Sequence, residues 1–359
     1  MKKNSLLFVA LLSIIALSSC EKDKLPEVHG DYENGVYIVN EGQFGHGNAS
    51  VSFLNDDAST VSNTVFNSVN TQDLGDQAQS IAFTDDNAYI VVTGSNKIEI
   101  ADKNTMERVV TLASHLSNPR YMQAVDNNIA YVSCWGDTSD DSDDYIAVIN
   151  TSNNTYDSQI AVPLGPEKMI ANDDFLFIAH QGAWGTNNKV TVLDLNARQI
   201  TDTITVGDRP NSMLINGDYL WVLCSGEPAW SGAETAGELY KIDINNNFNI
   251  VQTLTFGASQ HPQFLSIDGD NIYYYLKEGA QDGKIYQFDS NTVSALPASE
   301  YMTYASAYNM EINDGKLYIS DAKDFQQEGE VIIYDINTKA ELSRKTVGII
   351  PGDFGFNLQ

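Results

Sequence analysis

Cysteine is scarce. Three among 359 residues rule out a disulfide-rich scaffold, and none stands at a spacing that holds zinc. The five histidines fall mostly in polar, loop-like stretches with no carboxylate partner evident along the chain. HExxH, GxSxG and the phosphate-binding P-loop are all missing. Basic residues are also few, 20 against 48 acidic, for a formal charge of −28. No basic patch is visible, so a nucleic acid would be repelled rather than bound. Long apolar runs are lacking too: Leu6 to Leu17 is a run of twelve, too short to span a bilayer.

That run reads instead as the apolar core of an export signal. Lys2 and Lys3 precede it, and Leu17-Ser18-Ser19-Cys20 closes it. A small residue before a Cys at this place resembles the lipobox of bacterial lipoproteins. The resemblance implies cleavage after residue 19 and acylation of Cys20, an anchor of several chains on the outer membrane. Glu21-Lys22-Asp23-Lys24 resembles the surface-export signals of Bacteroidetes lipoproteins, which implies exposure on the cell surface. Residues 20–33 then form the lipidated Cys and a polar tether, and 34–359 the folded domain.

What is abundant is turn chemistry. Gly, Asn, Asp, Ser and Thr are plentiful, with 18 Tyr and 14 Phe among them, a pattern of many short strands. Two markers repeat in step. An aromatic recurs at Tyr37, Tyr89, Tyr131, Phe177, Trp221, Tyr273 and Tyr318, at spacings of 42 to 52 residues. An Asp or Asn closes an apolar run after each: Asn55, Asp102, Asn150, Asp194, Asp243, Asp289 and Asp335. Each unit reads as four strands, the innermost starting near a proline in several units (Pro166, Pro210, Pro262). Four strands at this period make a propeller blade. The chain is therefore expected to be all-β, a seven-bladed β-propeller. The first unit opens at its second strand, so Pro351 to Phe356 should supply the missing inner strand and close the ring. Cys134 and Cys224 each fall three residues after a marker, two blades apart, beyond disulfide reach. Both should be free, buried thiols.

The segment 190–210, VTVLDLNARQITDTITVGDRP, resembles YVTN-type propeller repeats of secreted and surface-layer proteins, a likeness that extends over all seven units.

Strand alternation puts the loops between second and third strands on the same face as the links between blades. Those loops carry Phe44 and His46, then Trp135 with the acidic run Asp137 to Asp144, then His180, Gln181 and Trp184, then Trp230, and last Phe325. The links on that face add Arg120, Arg209, Asn211, His261, Gln263 and Tyr308. These are the candidate binding residues, an aromatic rim with amide and charged groups. The same tryptophans would equally serve to pin long loops onto the blades. Gly42, Gly45 and Gly47 look like a glycine-rich loop without the helix that would hold phosphate. The acidic run lacks the Gly and Glu of an EF-hand; it is a solvated loop or an incidental calcium site.

Anchor, tether and propeller together resemble the cobalamin-capturing surface lipoproteins of Bacteroidetes. That resemblance implies a non-catalytic protein that binds cobalamin or a related corrinoid. It would pass the ligand to the TonB-dependent outer-membrane vitamin B12 transporter. Two other classes remain open. One is a protein- or glycan-binding adhesion propeller, which calls for a flat face of exposed aromatics. The other is a metal-dependent hydrolase, which calls for a tunnel of converging carboxylates or histidines.

Overall fold

The computed structural model describes residues 30–279 and 281–358. The expected signal peptide, Cys20 and the tether up to residue 29 lie outside the described residues. Among the described residues, no helix is long and apolar enough to cross a membrane.

Seven four-stranded antiparallel sheets are present among the described residues. Their second strands are Gly35–Asn40, Asn87–Val92, Ile129–Cys134, Phe175–His180, Tyr219–Cys224, Asn271–Leu276 and Lys316–Asp321. In every one the third residue is the marker aromatic. All seven aromatics are buried, and most reach the following blade. Tyr37 Oη donates to Lys103 O at 2.6 Å and Tyr89 Oη to Asn154 Oδ1 at 2.6 Å. Trp221 packs on Phe288, and Tyr318 packs edge-on to Phe356. The repeat thus marks where one blade is bonded or packed to the next.

The second marker ends every third strand, from Ser50–Asn55 to Glu328–Asp335. Its side-chain oxygen caps the turn that follows. Asp102 Oδ1 accepts from the N–H groups of Asn104 and Thr105, and Asp335 Oδ1 from those of Asn337 and Thr338. A short acceptor that bonds its own backbone two or three residues on is what such a turn needs.

The innermost strands, six of them between Ala78–Phe83 and Asn309–Asn313 and the seventh Pro351–Asn357, lie side by side around the axis. The last of these pairs antiparallel with Gly35–Asn40. The ring therefore closes as its register predicts, by a C-terminal strand completing the N-terminal blade. Cys134 and Cys224 are buried and unpaired. Burial pushes the Cys134 thiol up to about 12.

Candidate functional site

Each inner strand begins beside the channel mouth, and the residues at its start face the axis. Together with the loops above them they wall a cavity of about 500 Å³ to which all seven blades contribute. Five primary carboxamides stand in that wall: Gln79, Gln181, Asn211, Gln263 and Asn309. Aromatic surface comes from Tyr121, Phe264, Tyr308 and Trp230. Lys168, Arg209, His261 and Glu41 add charge or titratable nitrogen.

Seven of the residues singled out from the sequence meet here: Gln181, Arg209, Asn211, Trp230, His261, Gln263 and Tyr308. Their fixing is visible. Asn211 Nδ2 donates to Pro262 O at 2.8 Å, which ties blade five to blade six. Tyr308 Oη donates to Glu41 Oε1 at 2.8 Å. Burial holds the Glu41 carboxyl above its ordinary range despite that bond and the nearby Arg120. Arg209 donates to Gly185 O at 3.1 Å and sits 3.7 Å from the buried Glu227. His261 Nδ1 lies 2.8 Å from Ser225 O and Nε2 3.4 Å from Glu234 Oε1, a carboxylate partner the chain order does not reveal.

The other seven stand elsewhere. His180 ends its strand inside blade four with no exposure. Its Nδ1 is 2.9 Å from Pro163 O and its Nε2 2.7 Å from Thr191 Oγ1. Burial lowers its pKa to about 4, so the ring is neutral and structural. Arg120 forks onto the buried Glu167, Nε to Oε1 at 3.0 Å, with its guanidinium 4.1 Å over the Trp135 ring. Trp135 in turn donates to Pro166 O at 3.1 Å and carries Trp184 edge-on at 6.1 Å. Trp135 is thus a loop pin. Trp184 is 81% exposed and Phe44 78%, both away from the cavity wall, and His46 is exposed in the same loop as Phe44. Phe325 packs edge-on against Tyr308 at 5.6 Å, just behind the wall.

The glycine-rich loop also has an assignment. Gly45 N–H and Gly47 N–H both donate to the Asp76 carboxylate, the former at 2.9 Å to Oδ2. At φ of 76° and 63° these positions suit glycine. The loop cradles a carboxylate of its own chain.

Sequence reasoning missed Gln79, Tyr121, Lys168, Phe264 and Asn309. A signal existed. In four blades the prolines Pro119, Pro166, Pro210 and Pro262 mark the start of the inner strand, and the residue one or two places later is the one that faces the axis. Among the described residues, no group of three or more His, Cys, Asp or Glu side chains is placed to hold a metal ion.

The architecture defines a propeller with a ligand-sized central cavity on its long-loop face. The chain belongs to the family described as "Domain of unknown function (DUF5074)", whose model matches residues 34–338. A comparison with curated proteins finds no match. Similar solved structures include a functionally unknown protein from Desulfotomaculum acetoxidans, with TM-score 0.60, 14% identity, 88% of this chain and 99% of that one covered. Hydrazine synthase of Kuenenia stuttgartiensis has TM-score 0.59 and 16% identity over 77% of this chain and 88% of that one. The dihydro-heme d1 dehydrogenase NirN, solved in complex with DHE, has TM-score 0.58 and 10% identity over 93% and 77%. At these identities the likeness is one of fold, and the neighbours' functions are mixed, enzymes among them.

Proposed function

We propose that this protein is a cell-surface capture module for a corrinoid such as cobalamin. On this reading the central cavity binds the ligand, Cys20 anchors the domain to the outer membrane, and the ligand passes to a TonB-dependent transporter. The role is one of binding, not catalysis. The observation that carries the reading is the wall chemistry, five carboxamides among aromatic side chains. A corrinoid is an amphipathic disc fringed with primary amides. Each amide needs one acceptor and two donors met, and a carboxamide wall meets both kinds. Tyr121, Phe264, Tyr308 and Trp230 supply apolar surface for the disc. A cavity of about 500 Å³ seats part of such a ligand, and the rest lies at the rim under Trp230.

Titration of the purified protein with cyanocobalamin by calorimetry and thermal shift tests this. Saturable heat and a raised melting temperature are expected. Silence in both at micromolar ligand overturns the reading.

The exposure of Phe44 and Trp184 outside the cavity favours a second reading, a protein- or glycan-binding face. A glycan-array signal lost in Phe44→Ala and Trp184→Ala, with no response to cyanocobalamin, would select it.

A further inference from the structure

Below the cavity lies a second compartment of about 220 Å³ in the same channel. The upper cavity takes Asn211 and Gln263 from the inner strands of blades five and six, and the lower one takes the next residues along, from Ser212 and Leu265 onward. Lys168 and Phe264 line both. The two spaces therefore meet at a waist formed by these side chains. Phe264 holds φ 57° there, at the β-bulge that interrupts the pairing of its strand with Asn271–Leu276.

Lys168 interacts here with two buried carboxyl groups, Glu311 and Asp353; burial raises both and the Lys168 charge draws both back down. Lys168 makes no hydrogen bond or ion pair among the described residues; its Nζ lies 5.7 Å from the centroid of the Tyr121 ring. Glu311 lines the same compartment and accepts one bond, from Asn309 Nδ2 to Oε1 at 3.2 Å; among the described residues no donor reaches its other oxygen. The lining also includes Leu214, Leu265 and Met310. An ammonium offers only donors and a carboxylate only acceptors. A group that bridges them must accept on one side and donate on the other.

We infer that this waist is a subsite for one uncharged primary carboxamide arm of the ligand. Its carbonyl accepts from Lys168 and its NH2 donates to Glu311. The inference rests on the reading of the upper cavity as a corrinoid site. A carboxylate arm would face Glu311, and an ammonium arm would face Lys168. Of these three arms, the neutral amide is the one that meets both partners without adding a charge beside them.

The test compares cyanocobalamin with its monocarboxylates, each carrying one peripheral amide hydrolysed to an acid. Wild type, Lys168→Met and Glu311→Gln are titrated, with thermal melts to verify folding. One monocarboxylate should bind wild type about tenfold more weakly than the parent, as expected for a charge-assisted hydrogen bond replaced by repulsion. Glu311→Gln should narrow that ratio and Lys168→Met should widen it. A structural role alone would weaken all ligands alike. Equal binding of every monocarboxylate, or a uniform shift in both variants, overturns the subsite while leaving capture intact. Propionamide at millimolar concentration, observed by saturation-transfer NMR, separates the two readings. If cyanocobalamin fails to bind but propionamide binds wild type and neither variant, the corrinoid reading falls and the subsite stands. If neither ligand binds, both fall.

Discussion

The backbone N–H of Ile81 donates to Asp353 Oδ2 at 3.1 Å. This bond joins the inner strand of blade two to the strand that completes blade one, across nearly the whole chain. Beside it, Phe354 is 5% exposed and packs on Tyr318 of blade seven at 6.0 Å. The C-terminal strand is thus held on both sides of the seam. Phe354→Ala should lower unfolding stability by about 3 kcal/mol, as for other buried Phe truncations. Chemical denaturation measures this, and a loss below about 1 kcal/mol would show that the seam is not part of the cooperative unit.

The same Asp353 gives stability a pH dependence. Burial first, and then the Glu311 carboxylate, raise its pKa, while Lys168 and the N–H groups of Ile81 and Phe354 pull the other way. The unfolded chain loses this proton near the ordinary Asp value of about 3.9, and the folded protein keeps it to higher pH. The stabilising contribution is therefore full at low pH and is lost as pH rises through the folded value. Asp353→Asn keeps an acceptor for Ile81 and removes the titration. Relative to wild type, the variant should gain stability steadily between about pH 5 and 8. A difference that stays flat across that range would refute the assignment.

The three loop tryptophans should separate by role. Trp230 stands in the cavity wall, so Trp230→Ala should weaken cyanocobalamin binding about tenfold or more with little change in melting temperature. Trp135 lies under Arg120 and bonds Pro166, so Trp135→Ala should cost about 2 kcal/mol of stability, by lost packing and a lost hydrogen bond. Trp184→Ala should alter neither cyanocobalamin affinity nor stability by a measurable amount. Calorimetry and denaturation of the three variants check this pattern.

The ring was legible in the sequence because its two markers answer to physics that repeats in every blade. In most blades the third residue of the second strand reaches the next blade, and the Asp or Asn at each third-strand end caps a turn. The candidate cavity was half legible. Loop position and residue type found Trp230 and His261, because the long-loop face follows from strand alternation alone. They also pointed to His180, whose place one residue before the loop hides that its ring turns inward to Thr191. The deeper wall was not read, because Tyr121, Lys168 and Phe264 sit in strands that look like any other inner strand. Only closure around an axis makes them neighbours.

The two blade cysteines give a test of both fold and anchor. Cys134 and Cys224 are buried and free, and burial raises both thiols well above the ordinary range. A thiolate-dependent reagent should therefore leave the native protein unlabelled while the unfolded chain reacts within minutes. Processed protein isolated from membranes should release two titratable thiols on unfolding, since acylation at Cys20 would remove the third. A third thiol in that material would contradict the lipid anchor, and labelling of the native form would contradict the burial of the blade cysteines.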